Sequence, residues 1–320
     1  MKSADQKLTL SIDLSIVIVS WNVRDLLRNC LRSIDAGRGD LRLEVIVVDA
    51  ASHDGSPAMV GEHFPWVKLI ARSDNVGFPR GNNIGLAEAL GRYLLLLNPD
   101  TEIIGNALTK LLNFLDSQPN VGVVGPQLLN SDGTVQSSRR RFPTLATGLL
   151  ESTWLESIAP RAILDHYYAA DLPDDQTAEV DWLMGACLLI RREIYEAVGG
   201  MDEDYFMYSE ELDYCRRIKE AGWRVVYLPD AQVVHHAGKS SEQAVAARHV
   251  AFQRAKLRYF RKFHGRFPAQ FLRFVLLSNY LWQLVLEALK GLLGHKRPLR
   301  WQRVAVYWQV LRTGLRPAGY

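Results

Sequence analysis

The sequence predicts an α/β fold with a doubly wound, mostly parallel sheet and a helical extension at its C-terminal end. Through the first hundred residues, continuous β-branched runs alternate with helical segments, a pattern typical of parallel strands covered by helices on both faces. The charge changes sharply after residue 240. Residues 241 to 320 hold 15 Lys and Arg and 2 Asp and Glu, a net charge of +13, whereas residues 1 to 240 have a net charge of −10. We therefore expect two regions with different tasks, 1 to 240 and 241 to 320.

Composition excludes several classes of protein. With 320 residues, 48% of them hydrophobic and 23% charged, the chain is neither disordered nor fibrous. Its three cysteines, Cys30, Cys187 and Cys215, are too few for a disulfide framework and lack the spacing of a metal site, which indicates a reducing compartment. The first apolar run, 14 to 21, is short and follows a polar stretch. It predicts a buried strand rather than a signal peptide, so we expect the chain to begin in the cytoplasm.

The elements of the sheet follow one another in a regular order. Hydrophobic patterning predicts strands at 14 to 20 (LSIVIVS), 43 to 48 (LEVIVV), 67 to 71 and 93 to 97 (YLLLL), with helices at 25 to 34 and 83 to 90. The fourth strand ends at Asn98-Pro99-Asp100, because proline has no N–H with which to continue the strand ladder.

Polar residues gather directly after these strands. They are Asn22 after the first, Asp49, Ser52, Asp54 and Ser56 after the second, and Asn98 and Asp100 after the fourth. Open α/β sheets bind ligands at the carboxyl ends of their strands. Any one of these residues could be an ordinary turn residue, but their coincidence at strand ends favours a binding site.

A segment rich in glycine and asparagine, 75 to 85, precedes the second predicted helix. Its backbone amides and the helix N-terminus could face a phosphate. The chain contains neither the G-x-G-x-x-G pattern of dinucleotide-binding proteins nor the phosphate loop of P-loop proteins, so the sequence does not support those two classes.

Seven segments in a fixed order carry a resemblance to a known family. They are VSWN (19 to 22), VVDAASHDGS (47 to 56), NVGFPRGNNIG (75 to 85), LLNPDT (96 to 101), DWLMGACLLIRR (181 to 192), GGMDEDYFMYSEELDYCRR (199 to 217) and VVHHAG (233 to 238). This set resembles the family-2 inverting glycosyltransferases of the GT-A fold, over about residues 14 to 240. Within that family, the segment 125 to 144 (GPQLLNSDGTVQSSRRRFPT) resembles the rhamnosyltransferase branch of bacterial polysaccharide assembly.

The resemblance implies a binding site for a nucleotide-sugar. Asp49 occupies the position that binds the base, and Asn98-Pro99-Asp100 matches the D-x-D element with asparagine in first place. The full set of nucleotide-sugar-binding residues that we expect is Asn22, Asp49, Ser52, Asp54, Ser56, Gly77, Arg80, Asn82, Asn83, Asn98 and Asp100.

The resemblance also implies a metal ion and a general base. Asp100 would hold Mg²⁺ or Mn²⁺ on the diphosphate, and His235 would complete the site, with His236 as the alternative. Glu210 and Glu211 match an acidic pair whose second member is the base. Because Glu211 stands where the family usually has aspartate, the choice between the two glutamates stays open. An unplaced acidic run could also be only the first turn of a helix.

On the acceptor side, the resemblance places Trp182, Met184 and Gly185 near the pocket. The run Arg139-Arg140-Arg141 either holds a phosphate of the acceptor, with Arg141 as our candidate, or is a solvated run. The stretch 162 to 181 carries six acidic residues and no Lys or Arg, and we expect a solvated insertion rather than a lid.

The basic extension presents a choice between a membrane surface and internal packing. Residues 243 to 264 are amphipathic and basic, and 269 to 293 are dense in Leu, Phe, Val, Tyr and Trp. The longest charge-free run, 274 to 286, has 13 residues, too few for the roughly 20 that a membrane span needs. Basic side chains interleaved with Trp and Leu favour a helix in the membrane interface, and no nucleic-acid-binding module is recognisable.

Together these observations predict an inverting glycosyltransferase on the inner face of the cell membrane. We expect it to move a sugar, rhamnose from dTDP-rhamnose, to a lipid-linked saccharide. The alternative is a non-catalytic, membrane-bound protein that binds sugar nucleotides or acts as a scaffold. Intact Asp49, Asp100 and Glu211 favour the enzyme, because a scaffold does not need all three.

Overall fold

The strands form one mixed sheet of ten and a separate two-stranded ribbon. A computed structural model describes residues 12–151, 153–237, 245–294 and 296–316. The strands are β1 (Leu14–Ser20), β2 (Leu43–Asp49), β3 (Val67–Ala71), β4 (Tyr93–Leu97), β5 (Thr101–Ile103), β6 (Val121–Leu129), β7 (Val135–Gln136), β8 (Arg139–Arg140), β9 (Ala178–Val180), β10 (Trp182–Leu183), β11 (Cys187–Arg191) and β12 (Arg224–His235).

The first four strands are parallel, as the sequence predicts. The sheet order is β3-β2-β1-β4-β11-β6-β12-β5, with β7 paired to β6 and β9 to β12. Strand β11 runs antiparallel to both of its neighbours, β4 and β6, and β12 runs parallel to β6. The predicted α/β class is therefore confirmed, with antiparallel strands confined to the second half of the sheet.

Helices cover both faces of the sheet. They are α1 (Arg24–Gly37), α2 (Ser56–His63), α3 (Phe78–Ala87), α4 (Ala107–Ser117), α5 (Leu145–Leu150), α6 (Arg161–Tyr167), α7 (Arg192–Val198), α8 (Glu210–Glu220), α9 (Val245–Phe263), α10 (Arg266–Leu292) and α11 (Arg297–Thr313), with a 3₁₀ turn at Trp154–Ile158. Alternate residues of β1 point to opposite faces: Ile16 and Ile18 pack with α1 and α4, and Val17 packs with α3.

Two helices differ from the sequence prediction. Helix α3 begins at Phe78, five residues before the predicted start, because Pro79 occupies the first turn, where its missing N–H is not needed. Helix α2 was not predicted, and it begins at Ser56 with Pro57 in its first turn. The earlier start of α3 places Asn82 and Asn83 inside a helix rather than in a loop.

The C-terminal helices pack on the body of the protein. Phe260 of α9 lies so close to Gly148 of α5 that a Cβ atom on that glycine would be 2.6 Å from the ring. Lys256 forms an ion pair with Glu151 at 2.9 Å, and Lys262 binds Asp213 of α8 at 2.6 Å. Part of the positive charge of this region is therefore neutralised by the acidic body.

Helix α10 extends beyond the charge-free run 274 to 286 at both ends. It runs for 27 residues, and by length and composition it is the one helix in the described ranges that is apolar enough to cross a membrane. Only 28% of its most apolar stretch is buried inside the protein.

Candidate active site

The first of the predicted nucleotide-sugar-binding residues meet at the carboxyl ends of β1 and β2. The N–H of Asn22 donates to Ser52 Oγ at 2.9 Å, and its Oδ1 accepts from the N–H of His53 at 2.8 Å. Asp49 Oδ1 accepts from the N–H of Ser52 at 2.9 Å. The other oxygen of Asp49, Oδ2, is buried and has no partner among the described residues. A buried carboxylate oxygen without a donor is a suitable acceptor for an N–H of a ligand.

Asp54 and Ser56 are occupied by the turn into α2. Asp54 Oδ1 accepts from both the N–H and the hydroxyl of Ser56, and Oδ2 accepts from the N–H of Arg24 at 2.7 Å. Burial tends to raise the pKa of Asp54, but these hydrogen bonds outweigh it and hold the pKa below its usual value. Both side chains shape the loop, and their contact with a nucleotide stays a prediction.

The glycine-rich segment is pressed against the loop that leads to α8. Gly77 has a φ of +80°, and a Cβ atom there would lie 2.5 Å from the carbonyl oxygen of Phe206. The N–H of Phe78 donates to that same oxygen at 2.9 Å. Only glycine allows both the backbone angle and the close approach. The segment and the loop are therefore fixed relative to each other.

Inside α3, the two predicted asparagines differ. Asn83 bonds the backbone of Met201 twice, donating to its oxygen at 2.8 Å and accepting from its N–H at 2.9 Å. Asn82 is buried, and its Oδ1 has no partner in the described ranges. Arg80 is exposed and lies 3.8 Å from Glu203. Asn83 thus positions a loop, whereas Asn82 and Arg80 keep groups that a donor could use.

The predicted metal residues come together across two strands. Asp100 follows β4, and His235 ends β12, whose pairing with β5 places it opposite Thr101. Both side chains are buried, and Nε2 of His235 lies 3.4 Å from Oδ1 of Asp100 and 3.5 Å from the amide nitrogen of Asn98. Asn98 Oδ1 is buried without a described partner.

This donor set fits a divalent cation that is also held by a diphosphate. Two ligands at right angles on an ion at about 2.1 Å lie about 3.0 Å apart, close to the observed 3.4 Å. Nowhere in the described ranges do three or more His, Cys, Asp or Glu side chains form a group that could hold a metal. A cation held by Asp100 and His235 would therefore take its remaining ligands from diphosphate oxygens and water.

The orientation of His235 separates it from its neighbour. Its Nδ1 lies 2.7 Å from Oε1 of Gln136, which can only accept a hydrogen bond, so the Nε2 lone pair faces Asp100. His236 points the other way, with Nε2 2.8 Å from Glu102 and Nδ1 2.8 Å from Ser131. The geometry therefore favours His235 over His236 as a metal ligand.

The acidic pair begins α8 after two strained residues. Tyr208 and Ser209 have φ angles of +75° and +63°, uncommon for residues other than glycine. Burial raises the pKa of Glu210, and the adjacent charge of Glu211 raises it further. Burial also raises the pKa of Glu211, while hydrogen bonds from backbone N–H groups and the charge of Arg140 oppose this effect. Each carboxylate has one buried oxygen, Oε2, without a described partner.

Gly185 and Ala186 connect the segment of the predicted metal site, Asn98 to Asp100, with the acidic pair of α8. The carbonyl oxygen of Ala186 accepts from the N–H of Asn98 at 2.9 Å. The preceding residue, Gly185, is in close contact with Glu211, because a Cβ atom added to it would lie 3.3 Å from Glu211 Cβ. Glu211 therefore lies near the end of β4, where Asp100 is.

Glu211 lines a cavity between the body and α9. The body contributes Trp182, Tyr167, Tyr208 and Glu151, and α9 contributes Phe252, Lys256, Tyr259 and Phe260. Of the other predicted acceptor residues, Gly185 touches Glu211, and Met184 is partly buried in the core, its N–H bonded to Ser138.

The three arginines after β7 have different surroundings. Arg139 is buried and forms an ion pair with Asp174. Arg141, our candidate for the acceptor, makes a two-bond pair with Asp171, at 2.7 and 2.6 Å. The acidic stretch 162 to 181 is largely exposed, as expected of a solvated insertion, and the carboxylates of Asp171 and Asp174 within it pair with two of these arginines. Arg140 has no such pair among the described residues.

Sequence reasoning missed several residues of this region. Gln136, which orients His235, lies 99 residues away along the chain, and Lys256 lies 105 residues from Glu151. No local pattern marks such distant pairs. The strained dipeptide before α8 could have been suspected only from its place between an aromatic loop and a helix.

Comparison with known proteins now identifies the family. The sequence pattern described as "Glycosyl transferase family 2" matches residues 15–199. The chain belongs to glycosyl transferase family 2. It is therefore an enzyme, and this glycosyltransferase belongs to the rhamnosyltransferase branch, as two of its relatives indicate.

These relatives cover most of the chain. An N-acetylglucosaminyl-diphospho-decaprenol L-rhamnosyltransferase of Mycobacterium tuberculosis is 31% identical over 74% of this chain and 81% of its own length. The rhamnosyltransferase WbbL of Escherichia coli K12 is 26% identical over 69% of this chain and 83% of its own length.

A solved structure supports the GT-A fold of this glycosyltransferase. A mannosyltransferase from Pyrobaculum calidifontis, in complex with GDP-Man and Mn²⁺, aligns with a TM-score of 0.55 and 19% identity, covering 96% of this chain and 86% of that one. Because 96% of this chain is aligned, the likeness extends into the C-terminal helices. At 19% identity, it supports a shared fold and carries no conclusion about substrate or activity.

Proposed function

We propose that this glycosyltransferase transfers rhamnose from dTDP-rhamnose to a lipid-linked, diphosphate-bearing saccharide, with inversion at the sugar carbon and the help of Mg²⁺ or Mn²⁺. One observation carries the proposal. The Gly185–Ala186 dipeptide contacts Asn98 on one side and Glu211 on the other, so a site for a diphosphate-bound cation lies beside a carboxylate with a raised pKa. In the proposed transfer, the cation would stabilise the leaving diphosphate and the carboxylate would take the proton of the attacking hydroxyl.

The donor half of the proposal depends on unpartnered polar atoms. Asp49 Oδ2 would accept an N–H of the nucleotide base, and Asn82 Oδ1 lies buried in the first turns of α3, beside the glycine-rich segment. Asp100 and His235 would hold the cation on the diphosphate, and Gln136 keeps Nε2 of the histidine directed at it. A bound divalent ion stabilises the charge that develops on the leaving diphosphate.

The acceptor half depends on Glu211. Its raised pKa makes it a stronger base than an exposed glutamate, and its partnerless Oε2 can take the proton of an attacking hydroxyl. Attack in line with the departing diphosphate inverts the sugar carbon without a covalent enzyme intermediate. Glu210 is buried beside it, and its charge repels that of Glu211, which favours proton uptake by the pair.

The donor and the base can be tested together. Purified full-length protein is given a panel of nucleotide-sugars, with and without Mn²⁺, and an N-acetylglucosaminyl-diphospho-lipid as acceptor. We expect transfer from dTDP-rhamnose that requires the metal, and a loss of roughly 10² to 10⁴ in rate for Glu211→Gln. The exposed Glu88→Gln is the matched control. Equal product formation by wild type and Glu211→Gln would remove Glu211 as the base, and transfer from another donor alone would refute rhamnose.

We also propose that the enzyme works at the inner face of the cell membrane, held there by α10 and α11. Exposed apolar side chains of α10 lie along one face, at steps of three, four or seven residues, namely Phe267, Phe271, Phe274, Leu281, Val285, Leu289 and Leu292. Trp301 and Trp308 of α11 are exposed as well. Lys296 and Arg297 lie at the start of α11, which suits an anionic lipid surface.

A further inference from the structure

Arg140 stands apart from the two arginines that flank it. Its Nη1 donates to Ser137 Oγ at 2.9 Å and to the carbonyl oxygen of Arg139 at 2.8 Å, and its guanidinium lies 4.6 Å from the ring centre of Tyr168. All of these partners are uncharged. In the part of the chain that the structure describes, no carboxylate forms an ion pair with Arg140, whereas Arg139 and Arg141 each have an aspartate.

The position of Arg140 relates it to the cavity that Glu211 lines. In the ribbon of β8 and β10, Arg140 is paired directly with Trp182, so the two side chains share one face. Trp182 lines the cavity together with Tyr167, and Tyr167 packs against Tyr168 at 5.1 Å, the ring that Arg140 covers. The cation therefore lies at the edge of the cavity.

The electrostatics agree with this position. Burial lowers the pKa of Arg140, and the groups whose charges act on it in the opposite direction are Tyr167, Tyr168, Glu151 and Glu211. Three of these four line the cavity. A partly buried guanidinium without a counter-ion is costly unless an anion joins it, and guanidinium binds phosphate with paired hydrogen bonds.

We propose that Arg140 binds the diphosphate of the acceptor, while the acceptor hydroxyl lies at Glu211. This inference rests on the proposed function and refines it, because it replaces Arg141 with Arg140 as the anion-binding residue. Nε and Nη2 of Arg140 have no hydrogen-bond partner in the described ranges and remain available for the phosphate oxygens. The sugar between the phosphate and the attacked hydroxyl would then fill the cavity beside Trp182.

The proposal predicts a selective effect that depends on the charge of the acceptor. Two acceptors carry the same sugar, one on a diphospho-lipid and one on an uncharged alkyl group, and transfer from the donor is measured for each. We expect Arg140→Gln to raise KM for the diphosphate acceptor about ten- to hundredfold and to change KM for the uncharged acceptor less than about twofold. Arg140→Lys should recover part of the loss, because it restores the charge without the paired geometry.

Two further variants make the test sharper. Arg141→Gln removes the arginine that is paired with Asp171, and Arg38→Gln, the control, removes a half-exposed arginine directly after α1 that is paired with Asp35. A selective loss with Arg141→Gln instead of Arg140→Gln, or equal losses on both acceptors, overturns the proposal while transfer by wild type remains. No transfer by wild type to either acceptor overturns the proposed function, and the role of Arg140 with it. Thermal melts of each variant identify a loss of folding.

Discussion

Nε2 of His235 lies 3.4 Å from Oδ1 of Asp100, and both side chains are buried at the end of the central strands. The histidine ring is held by Gln136 through its other nitrogen, and the next residue, His236, is bound to Glu102 instead. Two adjacent histidines thus have separate surroundings, which makes their exchange a direct test of the metal site.

We expect His235→Gln to raise the Mn²⁺ concentration needed for half-maximal transfer by about tenfold or more, because it would remove the nitrogen that we propose as a ligand of the cation. His236→Gln should change that concentration less than about twofold, since its ring binds Glu102 and Ser131. Metal titration of the transfer rate measures both. Equal effects of the two substitutions would contradict the assignment of His235.

The pH dependence of transfer should report on Glu211. Because its pKa is raised, the base is protonated and inactive over a wider acidic range than an ordinary glutamate, whose pKa is about 4.3. We expect kcat/KM to rise with pH, and the midpoint of this acidic limb of the profile to lie above pH 4.3. Arg140→Gln should move the limb to higher pH, because the positive charge of Arg140 lowers the pKa of Glu211. A limb at or below pH 4.3 in the wild type would argue against Glu211.

The close approach of Gly77 to Phe206 predicts a difference between two glycines. Gly77 and Gly105 both have positive φ angles, +80° and +54°, but nothing lies within 4 Å of a Cβ atom placed on Gly105. Each alanine substitution should cost about 1 to 2 kcal/mol from the backbone angle. Gly77→Ala should lose more, and should also raise the donor KM, because its Cβ displaces the loop before α8. Chemical denaturation with donor kinetics measures both, and equal losses at the two sites would refute the contact.

The sequence motifs predict which residue types serve this site better than they predict how the side chains are arranged in space. Asp100 and Glu211 follow from segments whose residue types suit metal binding and proton transfer. The motif that contains His235 and His236 does not decide which of them faces Asp100. Consecutive residues of an extended segment face opposite sides, and only the pairing of β12 with β5 decides which side meets Asp100. The cavity wall supplied by α9 joins residues about a hundred positions apart, which no local pattern encodes.

Glu210 should lower stability at neutral pH. Its pKa is raised in the folded state, so below pH 4 both the folded and the unfolded chain carry the proton and the residue has little effect. As the pH rises, the unfolded chain loses this proton first, and the free energy of unfolding falls by about 1.4 kcal/mol for each unit by which the pKa is raised. Glu210→Gln should therefore melt at a higher temperature than wild type at pH 7.5, with the difference vanishing near pH 4. The exposed Glu62→Gln serves as control, and a lower melting temperature for Glu210→Gln at pH 7.5 would contradict the prediction.

The exposed face of α10 can be separated from the packing of the C-terminal helices. Removing the whole extension would also remove Phe260 and Lys256 from the cavity, so point substitutions are preferable. Phe274 and Leu281 lie on the exposed face, 69% and 55% exposed, and the double variant Phe274→Ser, Leu281→Ser should leave the fold intact. We expect it to lower partition onto anionic vesicles at least tenfold, because burying a large apolar side chain contributes about 1.5 to 3 kcal/mol.

Leu90→Ser, on an equally exposed leucine of the body, is the matched control. Vesicle flotation at low and high salt measures the partition, and unchanged flotation of the double variant would exclude this face as the membrane contact.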